Sequence, residues 1–159
     1  MGSQTAGRVL IVEGTIRSTE TSASPEVVFG VAVDLEAYTE WATGVASVEI
    51  LDTDAEGRPS RALFSVDGFI KRISYELEYS YDEPHLIAWS AVPGDDIKEM
   101  EGSYEFRRLD GGGTAIAYAL RVAPNFSVPG FLRRQAEKQI VQAALRGLRR
   151  RAEEQVDTE

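Results

Sequence analysis

Tyr75, Tyr104 and Tyr118 each sit in a stretch where apolar and polar residues alternate. A phenol at such a position can give or accept a hydrogen bond in apolar surroundings, and when buried it needs a partner. A cavity holding a polar ligand or water would supply one. With Phe64, Phe69 and Trp89 at other strand positions, these tyrosines make a candidate pocket lining, although ordinary core packing accounts for each ring taken singly. Arg61 is the strand arginine placed to face inward, opposite a ligand carboxylate or enolate; Arg72 and Arg121 fall on polar rows. A slip of one residue in register would reverse that face. Gln135 follows Phe131 by four residues, so the two share a helix face and the amide could reach a ligand carbonyl or hydroxyl. Phe126 and Phe131 bracket the junction Ser127-Val128-Pro129-Gly130, readable as an entrance rim or as a capped helix start with packed aromatics. Trp41 ends a short helical stretch, either plugging the core beneath it or gating a pocket mouth.

Other chemistry finds little support. His85 is the single histidine; it follows Asp82-Glu83-Pro84 in a turn and reads as a surface residue. No G-x-S-x-G sequence offers a nucleophile for a triad. With one histidine and no cysteine, soft-metal sites are excluded, and Asp95-Asp96 and Asp52/Asp54 match no calcium loop. Neither a Walker sequence nor G-x-G-x-x-G occurs, so no metal and no nucleotide cofactor is expected. The net charge of −9 disfavours nucleic acid, which needs a basic surface. That charge is uneven: residues 127–152 hold seven basic side chains against one acid, Glu137. Arg146, Arg149, Arg150 and Arg151 either complement a helix C-terminus or form a docking face for an acidic protein partner. The first residues lack the basic start and apolar core of a signal peptide. No apolar run reaches the ~18 residues of a membrane span. A cytoplasmic location without stable membrane insertion is therefore expected, and the absence of cysteine fits it.

The elements that must position these residues follow from periodicity. Residues 9–21 are rich in β-branched side chains and predict a first strand. Ser24 suits an N-cap and Pro25 a first helical turn, with Val27, Val28, Val31 and Leu35 at helical spacing. A second short helix is expected over 34–41, ending at Gly44. Alternation then predicts strands near 45–53, 59–67, 69–82, 85–92, 98–109 and 113–123, separated by turn chemistry at Glu56-Gly57, Asp67-Gly68, Pro93-Gly94-Asp95-Asp96 and Asp110-Gly111-Gly112-Gly113. The clearest is the fourth strand, where Ile73, Tyr75, Leu77, Tyr79 and Tyr81 share one row. From Ser127 the period is helical for about thirty residues. Phe131, Leu132, Gln135, Ile140, Ala143, Ala144 and Leu148 are expected on its apolar side. The chain reads as one α+β domain, 1–159, with 1–8 and 153–159 frayed. Seven consecutive antiparallel strands are too much sheet for one helix to cover unless the sheet curves around it.

This order, with Ser22-Ala23-Ser24-Pro25-Glu26-Val27-Val28-Phe29 followed by Asp34-Leu35-Glu36-Ala37-Tyr38-Thr39-Glu40-Trp41, resembles the START-like, or SRPBCC, superfamily, above all its polyketide cyclase/dehydrase and coenzyme Q-binding branch. Glu83-Pro84, Gly102-Ser103-Tyr104-Glu105-Phe106 and Asp110-Gly111-Gly112-Gly113-Thr114 extend the likeness over nearly the whole chain. Ser24 and Thr39 depart from it, each standing where that family usually has proline. The resemblance implies a helix-grip fold, a deep cavity between sheet and long helix, and a hydrophobic small-molecule ligand such as a lipid, polyketide or quinone. Some members catalyse cyclisation or dehydration, many only bind and carry, and some act through a protein partner. Three readings thus stand at this point: a ligand carrier, a polyketide cyclase/dehydratase-type enzyme, and a docking module using the basic helix face. Fold alone does not choose among them.

Overall fold

The computed structural model describes residues 14–68 and 71–158, with side chains through Val156. Seven strands run in chain order: β1 (Thr15–Thr21), β2 (Val45–Thr53), β3 (Pro59–Asp67), β4 (Arg72–Asp82), β5 (Leu86–Val92), β6 (Ile97–Arg108) and β7 (Thr114–Pro124). Between β1 and β2 lie α1 (Pro25–Val33), a 3-10 turn (Leu35–Ala37) and α2 (Tyr38–Trp41); α3 (Gly130–Thr158) ends the chain. The strands form one antiparallel sheet in the order β1-β7-β6-β5-β4-β3-β2. Each of β2 to β7 thus pairs with its chain neighbour, as short turns dictate, and β1 closes the far edge by pairing with β7.

The expected strands are found to within a residue or two where they can be compared. Residues 9–13 and 69–70 of the expected first and fourth strands lie outside the described residues. Ser24 caps α1 by accepting from the Val27 amide at 3.2 Å, and Pro25 occupies its first turn. The second short helix is a 3-10 turn that runs into a single α-helical turn.

Alternation in the strands becomes a two-sided sheet. Inward rows carry Ala62 and Phe64, Leu77, Ile87 and Trp89, Tyr104 and Phe106, and Ile116, Tyr118 and Leu120, all buried. Charged rows face the other way and pair across strands. Arg61 meets Asp52 and Glu76, and Arg121 meets Glu99 and Glu101. Helix α3 packs against β1, β7, α1 and α2, and α1 reaches over β5 and β6, with Phe29 against Tyr81 and Tyr38 of α2 against Phe64.

The phase of α3 differs from the expectation. Its buried row is Val141, Ala144, Leu145, Leu148 and Ala152, whereas Phe131 is 65% exposed and Leu132 and Ile140 are about half exposed. Glu137 explains the shift. This lone acid of the basic segment is 3% exposed, accepts from Thr15 Oγ1 at 3.2 Å and takes the Val122 amide at 2.9 Å. Those bonds seat its face of the helix on the β1–β7 edge and turn Phe131 and Leu132 away. At the other end, 153–159 do not mark the limit of the helix, which continues to Thr158. Ala152 is fully buried and Glu153 accepts from Thr21 at 2.9 Å, tying the last turns to β1. Gly147 permits close packing in between: a Cβ there would lie 2.5 Å from the Trp41 carbonyl oxygen.

Candidate functional site

The residues that can do chemistry converge on the concave face. Phe64 and Tyr75 stack across β3 and β4, with ring centroids 5.7 Å apart and planes 13° apart. Trp89 lies 5.8 Å from Tyr79, 5.3 Å from Tyr104 and 5.7 Å from Tyr118. Tyr104 and Tyr118 are only 4.5 Å apart. These contacts link β3 to β7 in one aromatic surface, an arrangement favoured by offset and edge-on ring pairing. Gly102 makes it possible, because it stands opposite Trp89 in the β5–β6 ladder and a Cβ there would come within 2.5 Å of the indole.

The polar ends of these rings divide into two groups. Tyr38 donates to the Ala32 carbonyl at 2.5 Å and Tyr81 to the Pro59 carbonyl at 2.5 Å. The hydroxyls of Tyr75, Tyr79, Tyr104 and Tyr118 have no comparable partner among the described residues. The side-chain nitrogens and oxygens both sealed from solvent and unpartnered are Trp41 Nε1, Arg61 Nε and Arg121 Nε, and the four phenol oxygens are not among them. Desolvation raises the pKa of Tyr79, Tyr104 and Tyr118 well above the ordinary tyrosine value and raises Tyr75 likewise. Neighbouring phenols add to the shift of Tyr79 and Tyr118. At neutral pH all four are protonated and can donate a hydrogen bond.

Phe64, Tyr75, Trp89, Tyr104 and Tyr118 thus come together, joined by Tyr79, whose row on β4 made it legible. The other candidates do not join them. Arg61 faces outward: Ala62 and Phe64 take the inward positions of β3, and the guanidinium pairs with Glu76 at 3.1 Å and Asp52 at 3.3 Å. Gln135 is exposed, because Glu137 sets the seated face of α3. Phe131 is exposed for the same reason. Phe69 lies outside the described residues. Phe126 stands at the rim, with Lys71 Nζ 5.4 Å from its ring. There the β3–β4, β5–β6 and β7–α3 connections meet, as Asp96 binds Lys71 at 2.9 Å and the Ser74 amide at 3.0 Å, and Asn125 binds the Gly94 carbonyl. Trp41 is 5% exposed, touches Tyr38 at 4.6 Å and fits over Gly147. It also borders an outer cleft of about 390 Å³ between α1 and the end of α3, where Glu26, Asp34 and Arg151 contribute. A second recess of about 310 Å³ is lined by Glu78, Tyr79, Ser80, Ala88, Trp89 and Ser90 of β4 and β5. Neither of these two spaces lies between the sheet and α3, where the aromatic side chains meet one another. His85 is exposed, with Nδ1 3.2 Å from the Phe106 carbonyl.

Of the four arginines considered for docking, Arg149 pairs with Glu153 at 3.2 Å and Arg151 with Glu40 at 2.8 Å, while Arg146 and Arg150 are exposed. No helix of the described residues is long and apolar enough to cross a membrane.

Comparison with known proteins agrees with this architecture. A family model described as polyketide cyclase / dehydrase and lipid transport matches residues 14–153. Among solved structures, a START superfamily protein from Mycobacterium smegmatis superposes with a TM-score of 0.80 at 23% identity, over 88% of this chain and 97% of that one. The Zhui aromatase/cyclase from Streptomyces sp. R1128 gives 0.78 at 17% identity, over 89% and 94%. A STAR-related lipid transfer protein from Xanthomonas axonopodis gives 0.67 at 19% identity, over 87% and 84%. At these identities the likeness is one of fold. No curated protein matches the sequence.

Proposed function

From the premise that this chain belongs to the polyketide cyclase/dehydrase and lipid transport family, we propose that it binds and carries a hydrophobic small molecule, a lipid, polyketide or quinone-like compound, on the concave face of its sheet. What supports this reading is the continuous aromatic face of Phe64, Tyr75, Tyr79, Trp89, Tyr104 and Tyr118, whose four phenol hydroxyls make no hydrogen bond to the described residues. A core built only for packing has no use for these hydroxyls, whereas a ligand oxygen could bond to them. The aromatic faces supply apolar contact, and the rim formed by the loops around Asp96, Asn125 and Phe126 is the side from which a ligand would enter.

A catalytic reading has one specific observation in its favour. Protonated phenols grouped on one aromatic face can hydrogen-bond to a developing enolate and lower the barrier to its formation. They cannot act as bases at neutral pH, and the inward rows of β3 to β5 offer no carboxylate or imidazole in their place. Carriage, or steering of a substrate that reacts by itself, fits these residues better than general-base chemistry.

Native mass spectrometry of protein freshly purified under mild conditions tests the reading. The wild type is expected to retain a small apolar adduct, or to take one up from a metabolite extract. The Tyr104→Phe/Tyr118→Phe variant is expected to hold much less of it while keeping its circular dichroism spectrum. A protein that carries no adduct and extracts none from any lipid or metabolite pool would refute it.

A further inference from the structure

We propose that the outward face of α3 docks reversibly on an anionic lipid bilayer, with Phe131 and Leu132 entering the bilayer interface. This goes beyond the carrier reading and does not depend on any ligand.

A row of cations carries the proposal. Arg134, Lys138, Gln142, Arg146 and Arg150 follow one another at four-residue steps and are all exposed, so they share one side of the helix. The row spans about 24 Å at the helical rise of ~1.5 Å per residue. Its cations have no ion pair among the described residues. Elsewhere arginines are neutralised: Arg58, Arg61, Arg72, Arg108 and Arg121 of the sheet and its turns each meet a carboxylate. No acid offsets the row on α3. Glu137, the one acid between Phe131 and Ala152, is buried on the β1–β7 edge.

Helix stability does not account for this row. Like charges four residues apart weaken a helix. The helix dipole favours cations in the last turn, yet α3 runs on to Thr158 and has no basic residue there. Arg134 lies near its other end, where the dipole opposes a positive charge. In a protein of net charge −9, four cations left in line without acids form a surface matched to an extended negative one.

The head of the row identifies that surface. Phe131 is 65% exposed and Leu132 49% exposed. The phosphates of a nucleic acid would match the cations but leave these two side chains in water. A bilayer with acidic headgroups meets both needs, with negative charge at its surface and acyl chains just beneath. No helix of the described residues can cross a membrane, so the contact is peripheral.

Flotation of the full chain with vesicles of phosphatidylcholine, with and without phosphatidylglycerol, tests the proposal. Binding is expected only with the anionic lipid, and it should fall steeply at ~1 M salt, where screening acts within about 3 Å. Arg146→Gln/Arg150→Gln should weaken it by about tenfold or more. Phe131→Ser/Leu132→Ser should also weaken it and leave the circular dichroism spectrum intact, since both side chains are exposed. Arg107→Glu, at an exposed position of β6, changes the net charge as much as the double arginine variant and should have little effect. Vesicles left unbound, or binding reduced equally by Arg107→Glu, would overturn the proposal. So would binding indifferent to Phe131→Ser/Leu132→Ser, or retention of an acidic protein or nucleic acid by the arginine row in place of vesicles.

Discussion

Raising the pH from 9 to 11 is expected to remove on the order of 4 kcal/mol of folding stability. Tyr38, Tyr104 and Tyr118 are each at most 7% exposed, and desolvation holds all three phenols well above their ordinary value. In the unfolded chain they lose their protons near pH 10. Above that pH the folded state therefore binds more protons than the unfolded one, and stability falls as pH rises. Each such group costs about 1.4 kcal/mol per pH unit until its own folded value is reached. The contribution is fully present below the unfolded value, so the stability curve should be flat in this respect up to about pH 9. Urea midpoints from pH 8 to 11, followed by circular dichroism, measure the effect. The Tyr104→Phe/Tyr118→Phe variant should show a shallower decline, because two of the most deeply buried phenols no longer contribute. A midpoint that stays constant to pH 11 would mean that the phenols are not sealed from bulk water.

Phe106→Ala is expected to cost about 3–5 kcal/mol, enough to leave a marginal domain largely unfolded. The ring is 2% exposed and stands where sheet and helix layer meet, 6.4 Å from Phe29 of α1 and 5.9 Å from Tyr104. Its removal leaves a cavity that two rigid rings and a β-strand cannot close. Tyr104→Phe, two residues earlier on the same row, makes the contrast. It deletes a hydroxyl with no hydrogen bond to the described residues and keeps the ring, so stability should not fall by more than about 1 kcal/mol and could rise. Chemical denaturation of the two variants side by side checks both numbers. A large loss for Tyr104→Phe would show that its hydroxyl has a structural partner, and with it the main support for a ligand there would go.

These contrasts also show what was legible in the sequence. The strands were, because alternation such as Ile73, Tyr75, Leu77, Tyr79, Tyr81 has one physical meaning in a half-buried sheet. The short turns then fixed neighbour pairing, and the aromatic residues of β3 to β7 could be assigned to the concave face from parity alone. Arg61 failed on the same rule: its row is decided by Phe64, three positions on, and an arginine beside Ala62 and Phe64 must face outward. Helix phase was harder to read. Phe131, Leu132 and Ile140 are apolar, so they were expected in the core, yet the helix is seated by Glu137, a charged residue that periodicity counts as surface. The available signal was its isolation, one acid among seven basic side chains in residues 127–152. Its partners, the Thr15 hydroxyl and the Val122 amide, are distant in sequence or part of the backbone, so no local pattern could name them. Hydrogen-bond satisfaction was likewise out of reach. Six tyrosines look alike in sequence, and only the coordinates separate Tyr38 and Tyr81, which bond to backbone carbonyls, from the four that do not.

Two-dimensional carbon–proton spectra of protein labelled only at tyrosine, recorded while anthraquinone is added, address these four rings directly. Resonances of Tyr75, Tyr79, Tyr104 and Tyr118, assigned by single Phe substitutions, should move together and saturate with one equivalent, leaving Tyr81 in place. Saturation confined to other rings, or spectra that do not respond to any neutral ring compound, would contradict a ligand site on the concave face.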